Sequence, residues 1–174
     1  MKRGIQENTT AYDSESKNLD KVCKQAKRFL EIDLTLKYPK LKCYSKLKKE
    51  QIPGNVGACS PDGGLWFYDE TLILTFEGKK QQNRGNAIER WFKNNYICRK
   101  INPNVSYLTF ASGSGAVPNG VIWKTLGVAH SQNVNSYHPG ENSLYLNPDG
   151  FTLEEMLNIV KKALEERIEN AQQS

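Results

Sequence analysis

The chain has 174 residues, a quarter of them charged, with a formal net charge of +5 and an isoelectric point near 8.9. This length fits one domain with a substantial core, and a charge this small does not by itself indicate nucleic-acid binding. No apolar run is long enough to cross a membrane and no secretory signal opens the chain, so we expect a single domain over residues 1–174, cytoplasmic and without a membrane partner.

Cysteine and histidine are scattered rather than grouped for metal binding. The chain contains no Cys-x-x-Cys motif, and no cysteine lies near either histidine. Zinc is therefore not expected, and reduced thiols fit a cytosolic protein. The residues concerned are Cys23, Cys43, Cys59, Cys98, His130 and His138.

The first 40 residues predict a tail and one helix. Residues 1–14 are polar and aperiodic, which predicts a flexible tail. From Asp13 or Ser14 to Tyr38 the pattern is helical, and Pro39 ends it. Glu31 on this helix is either an additional acid near a metal site or a solvated carboxylate. The predicted apolar stripe consists of Leu19, Val22, Ala26, Phe29, Leu30 and Leu34.

The segment from Lys37 to Lys49 is the strongest basic patch of the sequence. Its lysines have Tyr38 and Tyr44 between them. Two interpretations stay open: contact with nucleic-acid phosphates, with salt-sensitive affinity, or a solvated surface of strand and loop.

A turn and a hairpin follow. Pro-Asp-Gly-Gly at 61–64 predicts a turn that enters a strand. Leu65–Tyr68 and Thr71–Phe76 are predicted strands, joined by a tight turn at 69–70 that lacks the usual glycine. Alternation along the second strand predicts that Glu77 and Lys79 project together, with Asp62 close to Glu77 if its strand is the neighbour. The expected faces are Leu72, Leu74 and Phe76 on one side, and Ile73, Thr75, Glu77 and Lys79 on the other.

Asp62, Glu77 and Lys79 are the residue types that metal-dependent cleavage of a phosphodiester needs. A hard cation such as Mg²⁺ prefers oxygen ligands, which Asp62, Glu77 and the main-chain carbonyl of Gly78 can supply. The metal acidifies bound water and neutralises charge on the phosphate. Lys79 orients that water or stabilises the pentacovalent phosphate. The alternative is an exposed strand end with solvated charges.

The next segment predicts an amphipathic helix. Asn86, Arg90 and Lys93 lie at i, i+4 and i+7 on its polar face. Asn and Arg are suited to base edges in the major groove of DNA, although a merely solvated surface helix has the same pattern. The opposite face is expected to pack inward through Ile88, Trp91, Phe92 and Tyr96.

The remaining elements are predicted as scaffold. Val105–Ala111 and Ser143–Leu146 read as strands. The loop at 112–120 faces DNA or a second chain, or is a simple connection. Residues 121–129 form a short helix or strand, and His138 either approaches DNA or is a structural loop histidine.

A capping box, Thr152 with Glu155, opens a last helix that runs to about Ala171. Its apolar stripe is either core packing or a seam between two chains. The stripe consists of Leu153, Met156, Leu157, Val160, Leu164 and Ile168.

Two of these motifs together resemble a known family. The run at 61–64 followed by Glu77-Gly78-Lys79 resembles the active site of the PD-(D/E)XK nucleases. Residues 84–90, followed by Lys93, resemble the recognition element of type II restriction endonucleases of the EcoRI and MunI kind. Residues 38–41 resemble the segment upstream of that active site. The likeness covers roughly residues 30 to 115.

The resemblance implies roles for single residues. It makes Asp62 and Glu77 metal ligands and Lys79 the catalytic lysine. Glu89 matches an acid that bridges two recognition helices and touches bases. The implied DNA-binding residues are Arg84, Gly85, Asn86, Ala87, Glu89, Arg90 and Lys93, of which Asn86, Ala87 and Arg90 match positions that read inner bases.

The resemblance also implies a reaction and partners. The reaction is hydrolysis of both strands of double-stranded DNA with Mg²⁺, for which Mn²⁺ can substitute. The site is a short palindrome containing AATT, and the products carry 5′-phosphates and 5′ overhangs. A homodimer matches a palindrome, and a cognate DNA methyltransferase protects host DNA without a stable complex.

The expected fold is α/β, with a central mixed sheet flanked by helices and a restriction-endonuclease-like core. Only Lys80 to Arg84 separate the lysine from the Gly-Asn-Ala run, where relatives carry a long insertion, so we expect a compact enzyme that reads a short site. Two alternatives stay open: a repair or nicking nuclease with the same core, and a DNA-binding protein with an inactive site.

Overall fold

A computed structural model describes residues 10–54, 57–80, 86–117, 119–120, 122, 124, 126 and 134–173. For residues 10–18 and 86–87 it describes the backbone only.

Five strands form one mixed sheet in the order in which they follow along the chain. The two junctions at the β1 end are antiparallel and the two at the β5 end are parallel. The predicted α/β architecture, a mixed sheet flanked by helices, is confirmed. The strands are β1 (Leu41–Tyr44), β2 (Leu65–Tyr68), β3 (Thr71–Lys79), β4 (Ser106–Ala111) and β5 (Asn142–Leu146), and the helices are α1 (Thr10–Lys37), α2 (Asn86–Ile101) and α3 (Leu153–Gln173).

An apolar core lies on each face of the sheet. Helices α1 and α3 cover one face and contribute Leu30, Leu34, Val160 and Leu164 to its core. Helix α2 covers the other face with Ile88, Trp91, Ile97 and Cys98. The sheet is therefore covered on both sides, and the central strand β3 is almost fully buried.

A β-bulge in β3 changes which side chains share a face. Two consecutive residues of β2 pair with Leu72 and Leu74, so Ile73 is an extra residue between them. Such an insertion reverses the alternation locally. Leu72 packs on the α2 side, whereas Ile73, Leu74 and Phe76 pack on the α1 side. The predictions that Leu72 shares a face with Leu74 and Phe76, and that Ile73 lies on the opposite face from these two, are wrong for this reason.

Two local predictions are confirmed. The β2–β3 turn at Asp69 and Glu70 has positive φ angles of 49° and 69°, which is the geometry of a tight hairpin turn formed without glycine. Before α3, the main-chain N–H of Thr152 donates to Glu155 Oε1 at 2.8 Å, and that of Glu155 donates to Thr152 Oγ1 at 3.1 Å. The capping box is therefore closed in both directions, and the α3 stripe is core, because it packs in the same cluster as α1.

Helix α1 differs from its prediction at two points. It begins at Thr10, so residues 10–14, predicted as tail, are helical; residues 1–9 lie outside the described residues. Phe29 is exposed, and Cys23 lies in the core instead. The predicted start of the helix depended on an apolar stripe, and the polar residues at the start of α1 do not form one.

Helix α2 corrects a second packing prediction. Phe92 and Tyr96 are 47% and 51% exposed, whereas Trp91 is 1% exposed. The indole N–H of Trp91 donates to Thr109 Oγ1 at 2.7 Å. This bond fixes the rotation of the helix, and Phe92, one residue further on, then points away from the sheet.

The remaining segments connect the sheet. In the loop at 112–120, the Ser112 N–H donates to Lys79 O at 3.0 Å, which ties the loop to the end of β3. Segment 121–129 and His130 lie mostly outside the described residues. His138 lies near the start of β5, at the end of the sheet opposite Lys79. Within the described part of the chain, the helices lack the combination of length and apolarity that a bilayer crossing requires.

Candidate active site

The turn at 61–64 continues the antiparallel ladder between β2 and β3. The Gly64 N–H donates to Pro61 O at 3.0 Å, and the Gly63 N–H donates to Phe76 O at 2.8 Å. Gly64 has a φ of +82°, and a Cβ there would lie 2.6 Å from the sulfur of Cys43, so only glycine fits. The register brings Asp62, the residue before Gly63, beside Glu77, the residue after Phe76.

Glu77 and Lys79 form a buried ion pair at the end of β3. Lys79 Nζ lies 3.3 Å from Glu77 Oε1, and the two residues are 8% and 2% exposed. The hydroxyl of Tyr107 on β4 donates to the other carboxylate oxygen of Glu77, and Asn94 on α2 also hydrogen-bonds to this carboxylate. The predicted projection of Glu77 and Lys79 to one side is present, with two partners that the sequence did not reveal.

Burial raises the pKa of both carboxyl groups. For Glu77, burial outweighs the opposing effects of Lys79, Tyr107 and Asn94, so its pKa lies above the ordinary value. For Asp62, burial and then the charges of Asp20 and Glu77 raise the pKa from 3.8 to about 6. Two neighbouring carboxyl groups that both have a raised pKa are typical of a site that binds a cation.

Asp20 on α1 is an acid of this site that the sequence analysis missed. It lines the same cleft as Asp62 and Glu77 and contributes to the raised pKa of Asp62. No motif marks it, because its proximity depends on how α1 crosses the sheet. Glu31, the helix acid considered from the sequence, instead lies 3.4 Å from Lys27 and outside this cleft.

One cleft of about 550 Å³ contains the candidate site. It joins the end of β3 to the first half of α2, since Arg90 and Lys93 lie on its lining with Lys79 and Lys80. The acids on the lining are Asp20, Asp62 and Glu77, and the other residues are Ala58, Ser60, Gly78 and Asn94.

The predicted DNA-binding residues fall into four groups. Arg90 and Lys93 line the cleft, whereas Glu89 is exposed on α2 and does not line it. Arg84 and Gly85 lie outside the described residues, and Asn86 and Ala87 begin α2 without described side chains.

The basic patch at 37–49 does not enter this cleft. Lys37 lies 3.3 Å from Glu165 and Lys40 lies 3.8 Å from Asp69. A separate cleft of about 510 Å³ beside β1 is lined by Lys40, Lys42, Tyr44 and Lys48. The choice between phosphate contact and a solvated surface stays open for this patch.

The oxygen ligands at the site suit Mg²⁺, and they would fill only part of its coordination shell. Phe76 O accepts from Gly63 on the β2 side and Lys79 O accepts from Ser112 on the β4 side. Carbonyls alternate along a strand, so Gly78 O points to the side of Asp62. Mg²⁺ commonly takes one or two carboxylates and completes its shell with water and phosphate oxygens. Among the described residues no group of three or more His, Cys, Asp or Glu side chains is arranged to hold an ion, so carbonyl, water and phosphate oxygens would have to complete this site.

Comparisons of the chain with protein-family models, with curated proteins and with solved structures found no match.

Proposed function

We propose that the chain is a type II restriction endonuclease with a restriction-endonuclease-like core. It hydrolyses both strands of double-stranded DNA at a short palindrome containing AATT, and it depends on Mg²⁺. One observation carries the proposal: Asp62, Glu77 and Lys79 share a single cleft with Arg90 and Lys93 of the neighbouring helix. The cleft then combines acids that can hold a cation, a lysine for the scissile phosphate, and two further cations for the DNA.

The reaction follows from these residues. A bond forms between a water oxygen and phosphorus, and the bond from phosphorus to the 3′ oxygen breaks, which leaves a 3′-hydroxyl and a 5′-phosphate. Mg²⁺, when bound, neutralises phosphate charge and acidifies a water. Asp62, Glu77 and the Gly78 carbonyl would hold it. Lys79 supplies a fixed cation for the negative charge that develops on the phosphate.

The residues around Glu77 prepare it for this role. Tyr107 and Asn94 hold the carboxylate in one orientation and favour its charged form. Burial works against that charge, so the carboxylate gains from any cation placed beside it. A bound metal ion would therefore stabilise the ionised Glu77 carboxylate, and the ionised carboxylate would in turn stabilise the bound ion.

Sequence recognition is assigned to α2. Its N-terminal half carries Asn86, Ala87, Glu89 and Arg90, and Arg90 opens into the same cleft as the acids. A helix whose first turn faces the DNA can pair Asn with adenine and Arg with neighbouring acceptors. One chain reads one half-site, so we propose a homodimer on the palindrome. A methyltransferase that protects the host site and a cytoplasmic location belong to the same proposal.

The test separates cutting from binding. Glu77→Gln or Lys79→Ala should slow plasmid cleavage by about 10²–10³-fold or more, because the first removes a charged ligand of the proposed metal ion and the second removes the cation that offsets charge on the phosphate. Binding to the specific duplex in EDTA should stay within about threefold. Glu165→Gln and Lys162→Ala on α3 remove the same charges far from the site and serve as matched controls.

Other outcomes identify the alternatives. Nicked circles without linear product would indicate a nicking or repair nuclease. Tight binding with no cleavage in Mg²⁺ or Mn²⁺ would indicate a DNA-binding protein with an inactive site. Cutting at the normal rate by Glu77→Gln would remove the catalytic assignment.

A further inference from the structure

A second cleft adjoins the candidate active site on the α1 side. Its volume is about 470 Å³, and it shares Ser60 and Asp62 with the site cleft. We call it the flanking cleft. Its other lining residues are Lys24, Lys27, Arg28, Glu31, Ser45 and Pro61.

The flanking cleft presents cations toward the acids of the site. Lys24 and Arg28 are exposed and lie at i and i+4 on α1, which separates their Cβ atoms by about 5–6 Å. Neither forms a salt bridge with any of the described residues, whereas Lys27 is paired with Glu31 at 3.4 Å. Glu31 is thereby neutralised, and two uncommitted cations remain on the lining.

Lys24 is also close enough to influence the site itself: burial, Asp20 and Glu77 raise the pKa of Asp62, and the charge of Lys24 is among those that oppose this rise. Ser45 and Ser60 add hydroxyl donors between α1 and the turn at 61–64. Cations and hydroxyl groups in one open groove are the donors that bind phosphate oxygens in protein–DNA complexes.

We propose that the flanking cleft binds the phosphates of the cleaved strand on one side of the scissile phosphate. Lys93, on the lining of the site cleft, binds a phosphate on the other side. The strand then passes from α2, over Asp62 and Lys79, to Lys24 and Arg28 on α1. This inference rests on the proposed function and adds the path of the strand to it.

The first experiment measures the salt dependence of binding. Affinity for a duplex containing the palindrome is measured by fluorescence anisotropy in EDTA over a series of NaCl concentrations. The double variant Lys24→Gln/Arg28→Gln should reduce the slope of log K against log[NaCl] by about 1.8, because each phosphate contact contributes about 0.9. The charge-conserving variant Lys24→Arg/Arg28→Lys should keep the wild-type slope. The matched control is Lys161→Gln/Lys162→Gln on α3, which should leave the slope unchanged.

The second experiment locates the contact. A set of duplexes carries one neutral methylphosphonate each, moved along the strand. The wild-type protein should lose affinity on both sides of the scissile position. Lys24→Gln/Arg28→Gln should become insensitive on one side only, and Lys93→Ala on the other.

The outcomes separate the two proposals. If the Lys24/Arg28 variant keeps the wild-type slope and sensitivity while Lys93→Ala changes both, the flanking cleft is not a phosphate site and the proposed function still stands. If the wild-type protein binds no duplex DNA, or if neither variant changes the slope, the proposed function fails and this inference fails with it.

Discussion

At the scale of single residues, the charge of Glu77 depends on neighbours that offset the effect of burial on its pKa. Burial raises the pKa of Glu77, and Lys79, the Tyr107 hydroxyl and Asn94 offset only part of that rise. The balance between these effects decides whether the carboxylate is charged at neutral pH and therefore able to hold a cation.

Tyr107→Phe tests this balance. It keeps the ring and removes only the hydroxyl, and a hydrogen bond to a charged group contributes about 1.5–3 kcal/mol. The pKa of Glu77 should rise further, so the acidic limb of the pH–rate profile should move to higher pH by on the order of one unit. Half-maximal cleavage should also need more Mg²⁺.

Tyr145→Phe on β5 is the matched control, because Tyr145 is also buried but lies one strand further from Glu77. An unchanged acidic limb in Tyr107→Phe would mean that Tyr107 acts only in packing.

Asp20 gives a second prediction at this scale. In the metal-free protein Asp62 has a pKa of about 6 against an ordinary 3.8. Between these values the folded chain holds more protons than the unfolded chain, so stability falls as pH rises from about 4 to about 6.

Asp20→Asn removes one of the negative neighbours and should lower the pKa of Asp62, measured by carboxyl NMR titration. The control is Asp33→Asn, because Asp33 pairs with Lys161 at 3.0 Å, and this variant should leave the pKa of Asp62 unchanged. An equal shift in both variants would contradict the proximity of Asp20 to Asp62.

At the scale of elements, the close approach of α1 to the end of β3 depends on Gly78. A Cβ on Gly78 would lie 2.7 Å from Leu19 Cγ and 3.2 Å from the sulfur of Cys23. The strand that carries Glu77 and Lys79 and the helix that carries Asp20 therefore approach closely only because position 78 has no side chain. The same residue is the proposed carbonyl ligand.

Gly78→Ala should lower the free energy of unfolding by about 1–3 kcal/mol, since overpacking a core costs that much. Urea denaturation measures it. In a Leu19→Ala background the cost of Gly78→Ala should shrink, because the atom that it meets has been removed, and a double-mutant cycle gives the coupling. Equal costs in both backgrounds would contradict the contact.

Features of the elements that depend on a few neighbouring residues were predictable from the sequence, and features that depend on distant segments were not. The hairpin turn, the capping box and the strand after the turn at 61–64 were predictable, because turn, cap and alternation signals act over a few residues. The bulge at Ile73 was not, because an inserted residue is defined only by its partner strand. The exposure of Phe92 depends on how Trp91 bonds to β4, which is a contact between distant segments.

The candidate site divides in the same way. Glu77 and Lys79 are two residues apart on one strand, so their pairing follows from local geometry. Asp20, Asn94 and Tyr107 reach the site from three other elements, and no spacing in the chain connects them to it.

At the scale of the whole molecule, the proposed function makes α2 the link between catalysis and recognition, because Arg90 lines the cleft that contains the acids. Arg90→Ala should reduce discrimination between the palindrome and a singly altered site by about 1–3 kcal/mol. Lys93→Ala, a neighbouring cation on the same helix, should instead weaken binding about equally on both duplexes. Competition binding with the two duplexes measures both effects, and an equal loss on both for Arg90→Ala would make it a phosphate contact.

A palindromic site also requires two chains for two strands. Sedimentation of the protein with one specific duplex should give two chains per duplex. A single chain per duplex would favour the nicking alternative.

A digest of fully sequenced DNA with Mg²⁺, followed by sequencing of every new end, tests whether the protein cuts DNA at one site. We expect all ends to fall at one short palindrome containing AATT, with 5′-phosphates and four-base 5′ overhangs, and no ends from Glu77→Gln. Ends without a common sequence, no ends at all, or the same ends from Glu77→Gln would contradict the account.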